Sequence, residues 1–239
     1  MILAAGRGER MRPLTDKTPK PLLPVGAKPL LVWQIERLVK AGFTDLVINH
    51  AWMGSQLEDA IADGSRWGAR VTWSREGSAL ETAGGIVTAL PLLEANARDE
   101  PFVVVSADIY TDYDYARLVD VVEAMRIDYP RRAAHLVLTD NPPYHPRGDM
   151  AIVKGYISGR IAREDGSLHT YANIGVFHPR MFDGLASRVP LALFPWAYAL
   201  ASEGRITGEI FHGVWDNVGT PEQLHALDQR LQREEMKHE

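Results

Sequence analysis

Glycine, arginine and lysine crowd the opening of this 239-residue chain. A short apolar run, residues 1–4, leads into Gly6, Arg7 and Gly8; Arg10, Arg12 and Lys20 follow, with prolines at 13, 19, 21 and 24. Glycines let backbone N–H groups approach oxygen anions, since a Cβ would block both the close approach and the φ > 0 turns. Arginine offers a planar fork to two oxygens and lysine a compact point charge. The prolines stiffen the stretch behind the glycines, so the loop is long without being slack. Such a loop, at the carboxyl end of a buried strand, is built to wrap a polyphosphate. A second chemical position is Asp108, which follows the apolar run Phe102-Val-Val-Val-Ser-Ala. A carboxylate there sits at the carboxyl edge of a sheet, where open α/β folds hold ligands, and it offers the hard oxygen that magnesium prefers.

Two other glycine motifs are excluded. A dinucleotide fingerprint needs a third glycine where this chain has Met11, and a ribose-binding acid where the second strand ends in Asn49-His50. A Walker loop needs Gly-Lys followed by Ser or Thr, and no such tripeptide occurs. The net charge of −5 gives no basic footprint for nucleic acid, and zero cysteines exclude disulfides, thiolate metal sites and cysteine nucleophiles. No apolar stretch approaches the ~20 residues of a membrane span and no signal-peptide pattern opens the chain, so a cytoplasmic protein is expected. The first strand has almost no lead-in, which suggests a strand that begins before Met1 or a start codon placed late.

Strand and helix signals alternate behind the loop. Residues 1–4 are strand-like, and 29–41 carry apolar residues at 31, 35, 38 and 39, the spacing of a helix. Strands are predicted at 46–49, 71–73, 102–106 and 134–138, and helices at 55–62, 82–90 and 115–127. This rhythm predicts an α/β fold: a Rossmann-like, doubly wound, mostly parallel mixed sheet. It breaks after Asp140, where Asn141-Pro-Pro-Tyr-His-Pro146 forbids regular structure and short strands near Ala151, Tyr156 and Ile174 suggest a small antiparallel subregion. A helix near 195–202, a strand at 206–211 and a last helix opening at Thr220-Pro221 complete the chain; the polar residues 233–239 should fray. No repeat or linker divides it, so one domain over 1–239 is expected.

The stretch Leu3-Ala-Ala-Gly-Arg-Gly-Glu-Arg10-x-x-Pro-Leu-Thr…Pro19-Lys-Pro-Leu-Leu-Pro resembles the signature of the sugar-1-phosphate nucleotidyltransferases. Leu80-Glu-Thr-Ala-Gly-Gly85, Val103-Val-Val-Ser-Ala-Asp108, Asn173-Ile-Gly175 and Trp215-Asp-Asn-Val-Gly-Thr220 continue the likeness in the family's order. Ile48-Asn-His-Ala-Trp52, Thr111-Asp-Tyr-Asp114, Asn141-Pro and Arg147-Gly-Asp149 are most similar to the branch that uridylylates N-acetylmuramate α-1-phosphate in peptidoglycan recycling. The resemblance implies a magnesium-dependent transfer of UMP from UTP to that sugar phosphate. It also implies small-molecule partners, neither nucleic acid nor membrane, and a monomer or small homo-oligomer. Residues 1–110 would be mainly nucleotide-binding, 111–220 mainly sugar-phosphate-binding, and 221–239 a terminal helix. Competing readings are transfer to another sugar phosphate, such as mannose with GTP or glucose and N-acetylglucosamine with UTP, and a nucleotide-sensing module without catalysis.

Residue roles follow from the same likeness. Arg10 would grip the β- and γ-phosphates, and Lys20 would bridge the α-phosphate and the sugar phosphate, with Asp108 completing the catalytic set. Ala5, Gly6, Gly8, Glu9, Glu76, Glu81 and Gly84 would join them around the nucleotide. Uracil presents an N3–H that the Glu76 carboxylate can accept; guanine presents two donors, so that acid alone does not choose between them. Gly84 and Gly85 serve equally as the start of a helix packed on the sheet. Ser106, Arg147, Asp149 and Asn173 would face the sugar phosphate. The lactyl carboxylate of muramic acid calls for a cation, which Arg147, His145 or Lys154 could supply if they are not solvated loop charges. Magnesium would lie on Asp108 and Asn217. Here the chain departs from the family's Asp-x-Gly-Thr, reading Asn217-Val-Gly-Thr220 with Asp216 one place earlier. Neighbours in a strand face opposite ways, so Asp216 cannot substitute, and the amide predicts a weaker metal site.

Overall fold

The structure, a computed structural model, describes residues 1–95, 98–159, 167–194 and 196–236. Two compact units divide the chain: one holds Ile2–Ala79, Ser106–Asp114 and Val214–Glu239, the other Met1, Leu80–Val105 and Tyr115–Gly213. The polyphosphate-type loop, Asp108 and Asn217 all belong to the first of these units.

In that unit the strands Ile2–Leu3, Asp45–His50 and Arg70–Arg75 pair in parallel, with Ile2 opposite Ile48 and Asp45 opposite Arg70. Parallel neighbours need crossovers, supplied by the helices Leu30–Lys40 and Gly54–Ile61. The first helix buries Leu31, Ile35 and Leu38 of the predicted stripe, together with Leu30, and leaves Val39 half-buried. Two short antiparallel ribbons were not foreseen: Ile109–Thr111 with Trp215–Asn217, and Pro24–Val25 with Lys28–Pro29. Side chains fix the first ribbon: Gln34 Nε2 donates to the Ile109 carbonyl (2.6 Å), Thr111 Oγ1 donates to the Val214 carbonyl (2.8 Å), and the Val214 N–H donates to Asp112 (2.7 Å).

One cluster of buried apolar side chains underlies the loop, comprising Met11, Leu23, Val25, Leu30, Tyr110, Val218, Leu227 and Leu231. The last two come from the terminal helix Pro221–Glu235, which Thr220 caps by accepting from the Gln223 N–H (3.3 Å) as the sequence predicts. Asp228 ties that helix to the Gly26 N–H at 2.7 Å. The helix continues past residue 233; residues 237–239, expected to fray, lie outside the described residues.

The other unit carries the strands Phe102–Ser106, Thr170–Phe177, Ala134–Thr139, Ile206–Phe211, Tyr156–Ile157 and Ile152–Val153, in that spatial order. Ala134–Thr139 and Ile206–Phe211 pair in parallel, and the other pairs are antiparallel. The antiparallel pieces foreseen after Asp140 are present. Helices Glu81–Leu93, Arg117–Asp128 and Trp196–Ser202 belong to the same unit; Pro195, where the last was expected to start, lies outside the described residues. Among the described residues no helix is long and apolar enough to cross a membrane.

At the end of Asp45–His50 the His50 imidazole lies 2.6 Å from Glu58, which also takes two bonds from Arg75, at 2.7 and 2.6 Å. A Cβ at position 54 would stand 1.8 Å from the His50 ring, so Gly54 is what lets the helix start there. Arg75 first, and His50 after it, hold the Glu58 carboxyl at about 2, against an ordinary value of 4.5. A folded-state value below the unfolded one gives stability that is complete above about 4.5 and drains away as pH falls toward about 2. Glu58→Gln should therefore lower the melting temperature at neutral pH and flatten its decline between those two values. A wild-type slope in the variant's acid melting series would contradict this.

Candidate active site

The loop leaves the first strand with Ala4 and Ala5 buried and Gly6 and Arg7 exposed. Gly8 is left-handed (φ 66°), and a Cβ there would meet Thr15 at 3.0 Å and Lys20 at 3.1 Å. Both constraints make this position glycine's. Its carbonyl accepts from Thr15 Oγ1 at 2.8 Å, folding the loop back on itself. Glu9 and Arg10 are exposed on a short 3₁₀ turn that ends in fully buried Met11. Arg12, read as one of the loop cations, is instead paired with Asp16 at 2.6 Å on the surface.

Lys20 begins another 3₁₀ turn, Lys20–Leu22, after Pro19 in extended geometry. Only 8% exposed, it directs Nζ to Asp108 Oδ2 at 2.6 Å. Asp108 is brought there by its neighbours: the Ala107 N–H donates to the Leu3 carbonyl (2.9 Å), and the Val218 N–H donates to the Asp108 carbonyl (2.9 Å). The second bond sets Asn217 beside Asp108. Period-two alternation then separates the last two strand residues. Asp216 pairs with Arg230 of the terminal helix at 2.5 Å, whereas Asn217 Oδ1 is buried with no hydrogen-bond partner among the described residues. Arg10 completes the group: its guanidinium nitrogen lies 3.4 Å from where a Cβ of Gly219 would stand.

Four residues chosen from sequence, Arg10, Lys20, Asp108 and Asn217, thus converge within one unit. Glu76 belongs to it also. It is 6% exposed and accepts from Asn49 Nδ2 at 2.6 Å, while Asn49 Oδ1 accepts from the Ala4 N–H at 2.8 Å. Asn49 is the residue sequence reasoning missed, although its place at the carboxyl end of a buried strand was a usable signal. Ser106 is half-buried two residues before Asp108.

The remaining predicted residues lie in the other unit. Glu81 opens the helix Glu81–Leu93 with φ 59°, and Asn173 interrupts Thr170–Phe177 with φ 56° at a shift of register. Gly84 is tightly packed: a Cβ would stand 2.3 Å from the Val189 carbonyl oxygen and 3.0 Å from the Leu191 nitrogen. Asp149 already accepts from His145 Nε2 (3.0 Å) and the Tyr171 N–H (2.9 Å), one on each oxygen. Burial raises the Tyr171 phenol well above its usual value, so it stays neutral. Arg147 is exposed, and Lys154 is an exposed turn residue with φ 51°.

Among the described residues no cluster of three or more His, Cys, Asp or Glu could hold a metal ion. A hard cation that keeps its waters needs fewer, and the unpartnered, buried amide oxygen of Asn217, on the segment whose backbone bonds Asp108, is a donor that fits it.

The model of the nucleotidyl transferase family matches residues 1–145, and the chain belongs to that family. It is 45% identical over 222 residues to an N-acetylmuramate alpha-1-phosphate uridylyltransferase of Neisseria meningitidis serogroup B, with 92% of each chain covered. A protein of that same description from Caulobacter vibrioides is 33% identical, covering 97% of this chain and 96% of its own. The fold is that of the crystal structure of apo UDP-glucose pyrophosphorylase, which is 18% identical, covers 98% of each chain and superposes with a TM-score of 0.75.

If Asn217 Oδ1 is a metal ligand, Asn217→Asp should add a charge to the site and tighten Mn²⁺ binding on the order of tenfold, read from free Mn²⁺ by electron paramagnetic resonance. Unchanged affinity would remove Asn217 from that role.

Proposed function

We propose that this protein transfers UMP from UTP to N-acetylmuramate α-1-phosphate, releasing pyrophosphate, as a magnesium-dependent, cytoplasmic uridylyltransferase. The full-length likeness to two uridylyltransferases of that name supports the substrates. The observation that carries the chemistry is the 2.6 Å contact between a buried lysine and Asp108 at the end of the opening loop.

The sugar phosphate attacks the α-phosphorus through an oxygen that is already ionised, because a phosphate monoester loses its second proton near about pH 6. A general base is therefore unnecessary. What must be overcome is repulsion between two anions, which calls for positioned positive charge. Lys20, largely out of water, would bridge the two reacting phosphates, its orientation fixed in advance by Asp108. Arg10 would take the β- and γ-oxygens that leave as pyrophosphate, with the N–H groups around Gly8 as further donors. Asp108 and Asn217 would hold the magnesium ion, which when bound supplies charge that neutralises the phosphates. Glu76, aimed by Asn49, would accept the uracil N3–H.

For the sugar, the exposed Arg147 guanidinium is the candidate partner of the lactyl carboxylate. Asp149, whose two oxygens already hold His145 and the Tyr171 N–H, would chiefly set the shape of the loop that carries it.

Pyrophosphate release across five nucleoside triphosphates and several sugar 1-phosphates should be greatest for UTP with N-acetylmuramate 1-phosphate. A maximum at mannose with GTP, or triphosphate binding without turnover, would replace this reading. Lys20→Ala should lower kcat by ~10²–10³-fold, the scale of losing one preorganised charge donor. Arg147→Ala should raise KM for the muramate phosphate more than for the glucosamine phosphate; equal losses would take Arg147 out of that contact.

A further inference from the structure

Arg7 stands between the two loop glycines, and none of the roles above uses it. Its guanidinium carbon lies 4.4 Å from the centre of the Trp52 ring, within range of a cation–π stack. The tryptophan is itself pinned. It is half-buried, and its Nε1–H donates to the Thr15 carbonyl at 3.3 Å. Thr15 in turn donates Oγ1–H to the Gly8 carbonyl at 2.8 Å. One turn further along, Gln56 Nε2 donates to the Lys17 carbonyl at 3.2 Å, so the segment holding Trp52 grips the loop at two more points.

A stack orders an arginine without neutralising it. An exposed arginine gives up rotamer freedom when it binds, and an aromatic plate removes part of that freedom before a ligand arrives. The guanidinium carbon lies over the ring, and among the described residues no carboxylate takes its N–H groups. Arg12, five residues on, contrasts with this, because its charge is already matched by Asp16. Among the described residues Arg7 makes no ion pair. An ordered, unneutralised cation inside a glycine loop that faces solvent suits a polyphosphate.

Resting on the polyphosphate reading of this loop, we propose that Arg7 is a third polyphosphate-binding cation beside Arg10 and Lys20, and that Trp52 is the residue positioning it. The test is calorimetric titration of the whole protein, with magnesium and without sugar phosphate, using UTP, inorganic tripolyphosphate and UMP. Arg7→Ala should weaken UTP and tripolyphosphate about tenfold and leave UMP within about twofold. Trp52→Ala should do the same and add little in the Arg7→Ala background, whereas Trp52→Phe, which keeps a ring face, should stay near wild type. Tripolyphosphate affinity unchanged in Arg7→Ala would overturn the proposal, as would equal losses for UMP and tripolyphosphate. So would a loss in Trp52→Ala fully additive to that in Arg7→Ala. Should Trp52→Ala fail to fold, the exposed Arg7 variant and Trp52→Phe decide. Failure of the wild type to turn over any triphosphate would defeat the transferase reading, and the tripolyphosphate titration would still judge Arg7.

Discussion

A lysine removed from water and set against a carboxylate is the arrangement from which the rest of the site takes its meaning. Lys20 is 8% exposed, and its partner Asp108 is 2.6 Å away. A lysine this far out of water is costly without a partner, and Asp108, a third exposed, supplies one from a segment fixed on its own account. That fixing comes from the core beneath. Met11 follows Arg10, Leu23 comes three residues after Lys20, Tyr110 two after Asp108, and Val218 follows Asn217; all four belong to one apolar cluster. Four distant segments of chain therefore present their polar residues from a common base. In the proposed reaction, charges held in this way would need little rearrangement when anions arrive, which is where electrostatic catalysis gains most over water.

The strand Trp215–Asn217 shows how a small change of sequence is absorbed. Moving the carboxylate one place earlier sends it to the opposite face, where it is used differently: Asp216 holds Arg230 and with it the terminal helix that caps the core. The amide left at 217, one residue before the N–H that bonds the Asp108 carbonyl, keeps an oxygen donor but no charge. With Lys20 already beside Asp108, the site is less negative than two carboxylates would make it. In the proposed reaction that balance would favour arriving polyanions at some expense in grip on a cation.

Much of this was legible in the sequence because it is local chemistry. Glycine, proline and cation spacing announced the loop; the apolar run 102–106 announced that Asp108 ends a strand; Thr220-Pro221 announced the terminal helix. The parts that stayed hidden are those decided by distant partners. Ile109–Thr111 and Trp215–Asn217 are three residues each, too short for a period to register, and exist as a pair because Gln34, Thr111 and Asp112 hold them. The close approach of the Val189 carbonyl to Gly84, which leaves no room for a Cβ, is likewise set by a residue more than a hundred positions away. Arg12 and Arg7 look alike in one dimension; only folding gives one a carboxylate and the other an indole.

Backbone strain adds a line of argument that composition cannot. Seven non-glycine residues among those described have positive φ, and Glu81, Lys154 and Asn173 are three of them, all chosen beforehand for their chemistry. Asn173 is the sharpest case. It lies in the middle of an eight-residue strand, where a left-handed residue breaks the ladder, and the register does shift there between Tyr171 and Ile174. Asparagine tolerates that conformation better than most residues with a side chain, but a regular strand residue would pay nothing at all. Strain of this kind persists where the surroundings over-determine it, and here the Tyr171 N–H is held by Asp149 while residues 174–177 are locked between Phe102–Ser106 and Ala134–Thr139. The bulge re-aims the chain between Tyr171 and Ile174, and Asn173 lies half-buried there between buried Ala172 and Ile174.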